Sequence, residues 1–293
     1  MNDRKPYSGV FVPAVTPLTR SLQIDAVAVQ QLFGLLYKYG CAPFILGTTG
    51  EAASLSMQQK LDYIRIAGEV KEQGSLLLVG ISSNVLEESQ QLAAYCGDHG
   101  VDALVATLPA YYPLTPAQQL AYFLHLADTS PLPLFIYNIP ATTHMSLPLA
   151  LVDQLSRHPN IIGLKDSERD EARMRAALAL WKDRPDFHYL LGWAAKSAEA
   201  LLGGADGLVP STGNYHPEIY QQMFQALTAG NQEEIFRLQE LSDQYGASYQ
   251  KDRTLGESLA ALKLLMQEQG TCSACMLPPL SSLTASATKN YQS

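Results

Sequence analysis

The sequence predicts an α/β protein folded as a (β/α)₈ TIM barrel, and three observations lead to that fold class. Short apolar runs occur eight times, at intervals of about 20–35 residues, which is the length of one strand–helix unit. The runs are apolar on both faces, as the buried strands of a parallel sheet are. An amphipathic or alanine-rich segment follows each run, and eight consecutive units of this kind favour a closed barrel.

The eight runs are the predicted strands. An open, doubly wound sheet is the alternative arrangement, but the dinucleotide-binding motif Gly-x-Gly-x-x-Gly does not follow the first run. In chain order, the predicted strands cover residues 9–15, 43–47, 76–81, 103–107, 134–138, 161–165, 188–191 and 207–210.

The helix after the second strand has a recognisable N-terminal sequence signal. Ser56 and Gln59 have the spacing of a capping box, in which two side chains satisfy backbone N–H groups at a helix N-terminus. Leu61, Ile64 and Ala67 continue one apolar face behind it, so a helix is predicted here.

The pattern changes to helices alone after the eighth strand. One helix opens at Pro217, and two more follow near 232–249 and 255–269. Three helices are too many for the single helix that closes a barrel. We therefore expect a barrel catalytic domain over residues 1–225 and a small C-terminal helical appendage over residues 226–293.

Composition and charge exclude several classes of protein. Of the 293 residues, 47% are hydrophobic and 16% are charged, which is ordinary for a globular protein. The net charge is −8 and the Lys and Arg residues do not cluster, so neither nucleic acid nor an anionic membrane is an expected partner. No apolar segment follows the first charged residues and no run of about 18 apolar residues occurs, so we expect a cytoplasmic protein.

The four cysteines give little sign of a metal or redox site. Of Cys41, Cys96, Cys272 and Cys275, only the last two have suitable spacing. A structural zinc needs two further ligands at similar spacing, and none stands near them. We expect reduced thiols and no metal.

Functional side chains of a barrel come from the carboxyl ends of the strands and the loops that follow. These positions hold Thr48 and Thr49 after the second strand, Tyr111 after the fourth, Tyr137 at the fifth and Lys165 at the sixth. The predicted site therefore combines one amine with phenols and hydroxyls.

Lys165 is the unusual residue of this set, because four apolar or small residues precede it directly. Burial disfavours the ammonium form, and a neutral amine can attack a carbonyl carbon. The structural alternative is a lysine that extends to solvent or pairs with Asp166.

The neighbouring motifs also have two interpretations each. Gly47-Thr48-Thr49-Gly50-Glu51 suits a small anion such as a carboxylate, or it is an ordinary turn with hydroxyl caps. Tyr137 can pass a proton, or it packs on the barrel rim, and Tyr111 has the same ambiguity.

Taken together, these motifs resemble the dihydrodipicolinate synthase / N-acetylneuraminate lyase family of class I aldolases. The resemblance extends over most of the chain, and the step of 28 residues from Tyr137 to Lys165 is typical of the family. The motifs are Phe-Val-Pro-Ala-Val-Thr-Pro-Leu at 11–18, Gly-Thr-Thr-Gly-Glu at 47–51, Tyr-Tyr-Pro at 111–113, Tyr-Asn-Ile-Pro at 137–140, Gly-Leu-Lys-Asp-Ser at 163–167 and Gly-Gly-Ala-Asp-Gly at 203–207.

The resemblance implies a role for each of these residues. Lys165 would form an imine with the keto carbon of pyruvate or a longer 2-oxo acid, so that no separate cofactor is needed. Thr48 and Thr49 would hold the carboxylate, and Tyr137 would move the proton. Tyr111 would complete a Tyr-Thr-Tyr relay with Thr48 across a subunit interface. A dimer at least is therefore expected, and tetramers are usual in the family.

Two departures from the family bear on the substrate. The synthases carry an arginine five residues after the fifth-strand tyrosine, which binds the carboxylate of aspartate semialdehyde, but Thr142 stands there. The sialic acid lyases carry two acidic residues after the seventh-strand glycine, but Ala194 and Ala195 stand there. The remaining expectation is a shorter or less polar 2-oxo acid, such as a 2-keto-3-deoxy sugar acid, that undergoes aldol cleavage or dehydration.

Further candidates for the substrate pocket lie near the carboxyl ends of strands five to eight. Trp193 could form the floor of the pocket or pack in the core. His144 could act as an acid or base, or face solvent. The other substrate-binding candidates are Thr142, Ser167, Val209, Ser211 and Thr212.

Two other functions are open at this point. One is a true dihydrodipicolinate (4-hydroxy-tetrahydrodipicolinate) synthase that finds a different ligand for the aspartate semialdehyde carboxylate. The other is a non-catalytic barrel that binds a pyruvate-like ligand for regulation. The intact set of Lys165, Tyr137 and Thr48 argues against the latter, since a buried amine is costly without a use.

Overall fold

The computed structural model describes residues 5–283. Eight parallel strands pair in chain order, and β8 pairs with β1 to close the barrel. The strands are β1 (Gly9–Pro13), β2 (Cys41–Ile45), β3 (Leu78–Gly80), β4 (Ala103–Ala106), β5 (Leu134–Asn138), β6 (Ile161–Asp166), β7 (His188–Leu191) and β8 (Gly207–Leu208).

Helices surround the barrel and continue beyond it. The capping box at Ser56 and Gln59 is confirmed, and Thr115 and Thr254 begin two other helices in the same way. The helices are α1 (Ala26–Lys38), α2 (Met57–Val70), α3 (Leu86–Gly97), α4 (Pro116–Thr129), α5 (Pro140–Thr143), α6 (Leu149–Leu155), α7 (Glu171–Leu180), α8 (Ser197–Leu202), α9 (Pro217–Thr228), α10 (Gln232–Gln250) and α11 (Leu255–Glu268).

Side chains alternate along each strand between the barrel interior and the layer beneath the helices. Phe11, Phe44 and Phe135 are at most 1% exposed and belong to the interior cluster. The Tyr7 ring packs edge-on against Phe135 and His188, with centroids 5.6 and 5.4 Å away. Tyr7, Phe135 and His188 thus fill the barrel near the amino ends of the strands.

The predicted fold class and all eight strands are confirmed. β5 and β7 have the predicted bounds. β2 begins earlier than predicted, because Cys41 and Ala42 already pair with β1. β8 is shorter than predicted and ends before Pro210, which has no N–H with which to continue the ladder.

The three C-terminal helices are also found close to their predicted positions. α10 packs on α9, on α8 and on α11, which ties this region to the barrel. The predicted domain boundary at residue 225 falls inside α9 and stays a prediction, and residues 284–293 of the predicted appendage lie outside the described residues. Over residues 5–283, no helix combines the length and apolarity needed to cross a membrane.

Candidate active site

A cavity of about 560 Å³ opens at the carboxyl ends of the strands. Its walls come from the loops after β2, β3, β4 and β5 and from α11. Phe44 and Tyr137, which point into the barrel, also line it. Polar lining residues on the loops include Thr48, Ser82, Ser83, Asn84, Thr107 and Thr142.

Lys165 lies beneath this cavity, in the barrel interior. Its Cα is the β6 partner of the Tyr137 Cα on β5, so both side chains lie on the same face of the sheet. The Nζ atom is 3.4 Å from the centroid of the Tyr137 ring and 4.8 Å from that of Phe44. Lys165 is only 4% exposed, and the two rings that contact its amine line the cavity.

The environment of Lys165 favours a nucleophilic amine. Burial lowers the pKa of its ammonium group below the ordinary lysine value, and the neighbouring Tyr137 opposes the shift without cancelling it. A larger fraction of the amine is therefore neutral at a given pH than for an exposed lysine.

Tyr137 connects the amine to the hydroxyl of Thr48. Burial alone raises the pKa of the phenol, but the charge of Lys165 and hydrogen bonds with Lys165, Thr48 and Ser167 outweigh it, so the pKa of Tyr137 is lowered. The phenol oxygen lies 3.4 Å from the Thr48 Oγ1 atom. This arrangement can exchange a proton between the phenol and a group bound at the amine.

The loop of residues 47–51 follows β2 and forms a series of tight turns. The N–H of Gly50 donates to the Gly47 carbonyl over 3.1 Å, and that of Glu51 donates to the Thr48 carbonyl over 3.2 Å. Within residues 5–283, the N–H groups of Thr48 and Thr49 donate to no protein acceptor. The loop is thus a turn that leaves two adjacent donors free, as an anion-binding site requires.

Comparison with known proteins decides the family. A sequence model of the dihydrodipicolinate synthetase family matches residues 6–293. The chain belongs to this family. The resemblance inferred from the motifs is therefore confirmed, and the chain is an enzyme of the aldolase and lyase class.

Curated relatives within the family differ in the reaction that is ascribed to them. The 4-hydroxy-tetrahydrodipicolinate synthase of Pseudoalteromonas atlantica is 30% identical over 226 residues, which cover 77% of this chain and 76% of that protein. A putative 2-dehydro-3-deoxy-D-gluconate aldolase of Escherichia coli, YagE, is 29% identical over 228 residues, which cover 77% and 76%.

Solved structures of the family superpose on nearly the whole chain. Dihydrodipicolinate synthase from Bacteroides thetaiotaomicron matches with a TM-score of 0.92 and 33% identity, and the match covers 99% of this chain and 97% of that one. The YagE protein, solved in complex with pyruvate, matches with a TM-score of 0.91 and 27% identity over 97% and 96%.

In this member of the family, Asp166 does not pair with Lys165. Its carboxylate accepts from the Arg173 Nε atom over 2.7 Å and from the Asn138 amide over 2.8 Å. Burial raises the pKa of Asp166, while Arg173 opposes that shift. Arg173 also donates to the Leu147 carbonyl over 2.8 Å, so this network fastens the end of β6 to the loop that follows β5.

Three of the proposed substrate-binding residues lie around this core. Thr142 is half-buried and lines the cavity. Val209 is 4% exposed and belongs to the same interior cluster as Tyr137. Ser167 is half-buried beside Gly192, where an added Cβ would come within 2.1 Å of its hydroxyl, so a larger residue there would displace the serine side chain.

Within the described part of the single chain, Tyr111 makes no hydrogen bond to Thr48 and does not line the cavity. It is 75% exposed, and its ring packs edge-on against Tyr112 with centroids 4.8 Å apart. The exposure of both phenols is compatible with a role toward a second chain.

The remaining sequence candidates are placed elsewhere. The hydroxyls of Ser211 and Thr212 lie 2.6 and 3.1 Å from the Tyr249 phenol oxygen, on α10. Trp193 is half-buried and packs on the apolar layer beneath the helices, and His144 is exposed.

No metal centre is found in the described part of the chain. No group of three or more His, Cys, Asp or Glu residues is placed there to hold a metal ion. Cys272 is a buried free thiol, and burial raises its pKa to about 11.

Sequence reasoning missed part of the cavity wall. Ser82, Ser83 and Asn84 follow β3, and Thr107 follows β4, so the strand-end rule could have included them. Leu259 on α11 also lines the cavity, and no local signal indicates that a C-terminal helix returns to the site.

Proposed function

We propose that this enzyme is a class I aldolase or lyase that forms a Schiff base between Lys165 and pyruvate or a pyruvate-derived 2-oxo acid. The observation that carries the proposal is the buried Lys165 amine in contact with Tyr137, which in turn reaches Thr48 on an anion-binding loop. A nucleophile, a proton carrier and a carboxylate site thus lie side by side.

The chemistry follows from these positions. The neutral Lys165 amine attacks the keto carbon to give a carbinolamine, and protonation of its hydroxyl by the Tyr137 phenol followed by loss of water gives a protonated imine. In cleavage, a proton leaves the C4 hydroxyl as the C3–C4 bond breaks, and the bonding electrons move into the imine to give an enamine and an aldehyde. Protonation at C3 and hydrolysis then release pyruvate and restore the amine. Tyr137 is the group that accepts and returns the proton.

The free N–H groups of Thr48 and Thr49, together with their hydroxyls, would hold the substrate carboxylate next to the imine. This contact fixes the keto carbon relative to Lys165. It is the same in cleavage, condensation and dehydration, so it does not set the direction of the reaction.

The cavity lining supports a hydroxylated acceptor end, as in a 2-keto-3-deoxy sugar acid. Ser82, Ser83, Thr107 and Thr142 offer neutral hydrogen bonds around the space beyond Tyr137. Thr142 offers only one hydroxyl where the synthases of the family carry arginine, so a second carboxylate is less well bound. The similarity to YagE, described as a putative 2-dehydro-3-deoxy-D-gluconate aldolase, agrees with this choice.

A second candidate is condensation of pyruvate with aspartate semialdehyde. The relative at 30% identity and the structure at 33% identity are both described as synthases of this type. Lys60 also lines the cavity and could replace the missing arginine as a carboxylate ligand.

We also propose that the enzyme works as a homo-oligomer, a dimer at least and a tetramer by analogy with the family, in the cytoplasm and without a cofactor other than Lys165. The exposed Tyr111, at 75%, supports a contribution to the site of a neighbouring subunit. Sedimentation of the purified protein at several concentrations tests the oligomer.

A screen of 2-oxo acids tests the proposed substrate class. We expect pyruvate release from a 2-keto-3-deoxy sugar acid, with loss of turnover in Tyr137→Phe. Faster consumption of aspartate semialdehyde with pyruvate would favour the second candidate. No pyruvate release from any 2-oxo acid, together with no condensation of pyruvate with aspartate semialdehyde, would contradict both.

A further inference from the structure

A buried ion pair connects the loop of residues 47–51 to the C-terminal region. The Lys263 Nζ atom on α11 lies 2.5 Å from the Glu51 carboxylate, and both side chains are 1% exposed. These residues are 212 positions apart in the chain. Burial of two charged side chains costs desolvation free energy. Removal of one partner leaves the other charge buried and uncompensated.

Both groups of the pair are also bonded to backbone in the C-terminal segment. Lys263 donates a second hydrogen bond to the Cys275 carbonyl over 2.7 Å. The second carboxylate oxygen of Glu51 accepts from the N–H of Leu277 over 2.9 Å. Glu51 therefore has two contacts that hold it to α11 and the segment after it, and its side chain cannot move without breaking them.

The loop that Glu51 ends has an uncommon backbone. Leu46, just before it, and Glu51 both have positive φ angles, each 55°. Residues other than glycine rarely occupy this left-handed region, and they persist there when the surroundings hold them. At the Glu51 end, the surroundings are the pair with Lys263 and the Leu277 N–H.

Thr48 and Thr49 lie between these two positions. The turns of the loop fix the directions of the free N–H groups of both residues. One of these turns is closed by the Glu51 N–H, which donates to the Thr48 carbonyl. A change in the backbone at Glu51 is thus transmitted to the residues that are proposed to hold the carboxylate.

We propose that Lys263 is a positioning residue for substrate binding: with Glu51 it holds the loop of residues 47–51 in the conformation that binds the carboxylate of the 2-oxo acid. The inference rests on the proposed function, since it assigns that carboxylate to Thr48 and Thr49. It gives the C-terminal helices a role in the active site of the same subunit.

The test measures imine formation as a function of pyruvate concentration, by borohydride reduction of the full-length enzyme and mass spectrometry. The variants are Lys263→Met and the double variant Glu51→Gln/Lys263→Met. The double variant removes both charges at similar volume, keeps a side-chain oxygen for the Leu277 N–H, and is available if the single variant does not fold.

Lys71→Met is the control, and it tests an ion pair with the same kinds of partner but with side chains that are 17% and 28% exposed. Lys71 also bonds to one carboxylate, that of Asp102 over 2.6 Å, and to one backbone carbonyl, that of Gly100 over 2.9 Å. Asp102 likewise accepts a backbone N–H, from Leu77. This pair lies just before β3 and β4, at the amino ends of the strands and away from the loop of residues 47–51. Lys71→Met therefore shows how the loss of an ion pair affects stability when that loop is unchanged.

We expect the half-saturating pyruvate concentration to rise about tenfold in both Lys263 variants, because a displaced loop binds the carboxylate more weakly. The limiting rate of trapping should change little, because the loop does not contact the Lys165 amine. Lys71→Met should bind pyruvate as the wild type does. Unchanged half-saturation in the Lys263 variants, or a loss confined to the limiting rate, would overturn the positioning role. Absence of trapping in the wild-type enzyme would instead overturn the proposed function itself.

Discussion

Replacement of Tyr137 by phenylalanine removes one oxygen atom from the centre of the site. The ring that contacts Lys165, with its centroid 3.4 Å from Nζ, is kept, and so is its edge-on packing against Phe44 at 6.4 Å. The lost hydroxyl bonds to Thr48 over a long 3.4 Å and also to Lys165 and Ser167. A hydrogen bond contributes about 0.5–1.5 kcal/mol to folding, so the thermal midpoint should fall by only a few degrees.

The effect on catalysis should be much larger than the effect on stability. A positioned proton carrier accelerates a reaction by about 10²–10⁴-fold, which corresponds to about 3–5 kcal/mol of transition-state free energy. We therefore expect kcat for cleavage to fall at least about a hundredfold in Tyr137→Phe. Trapping of pyruvate should persist, because loss of the phenol removes the influence that raises the pKa of Lys165 and leaves the amine more neutral.

Steady-state kinetics with the substrate found in the 2-oxo acid screen, together with borohydride trapping, provides the assay. Wild-type enzyme and a second tyrosine variant, Tyr112→Phe, are the controls, since Tyr112 is 71% exposed and outside the proposed relay. If Tyr137→Phe kept a kcat close to that of the wild type, the assignment of proton transfer to this phenol would be wrong.

Three further predictions concern stability and assembly. His188 is 3% exposed, and burial lowers its pKa to about 4. The unfolded chain therefore binds more protons than the folded one between about pH 4 and 6.5, and acid should lower the free energy of unfolding by about 3 kcal/mol over this range. In His188→Phe, the free energy of unfolding should depend less on pH. Arg173→Leu should cost about 3 kcal/mol or more in denaturant unfolding, because it strands a buried carboxylate at the end of β6, and a loss below about 1 kcal/mol would contradict that network. Mixing inactive Tyr111→Phe with inactive Lys165→Ala under subunit exchange should restore about a quarter of the wild-type activity if Tyr111 acts across an interface, and no activity if it does not.

The fold could be predicted because a parallel barrel imposes a simple pattern on its sequence. Each strand is covered on both faces, so the eight runs had to be apolar, and their spacing had to leave room for a helix. Lys165 was detectable as a candidate for the same reason, since the apolar run before it places a lysine at the end of a buried strand.

Other parts of the site depend on contacts that no local pattern specifies. Asp166 is adjacent to Lys165 in sequence, but neighbours on a strand point to opposite faces, so Asp166 meets Arg173 instead. Ser211 and Thr212 bond to Tyr249 on a helix whose position only the packing fixes. The pair of Glu51 with Lys263, 212 positions apart, has no counterpart in the spacing of any motif.

The most direct test of the central claim is the site of covalent trapping by pyruvate. The enzyme is reduced with borohydride in the presence of pyruvate, digested, and the modified peptide is sequenced by mass spectrometry. The account predicts one stable adduct, on Lys165, which disappears in Lys165→Ala. No adduct in the wild-type enzyme, or an adduct that survives Lys165→Ala, would contradict it.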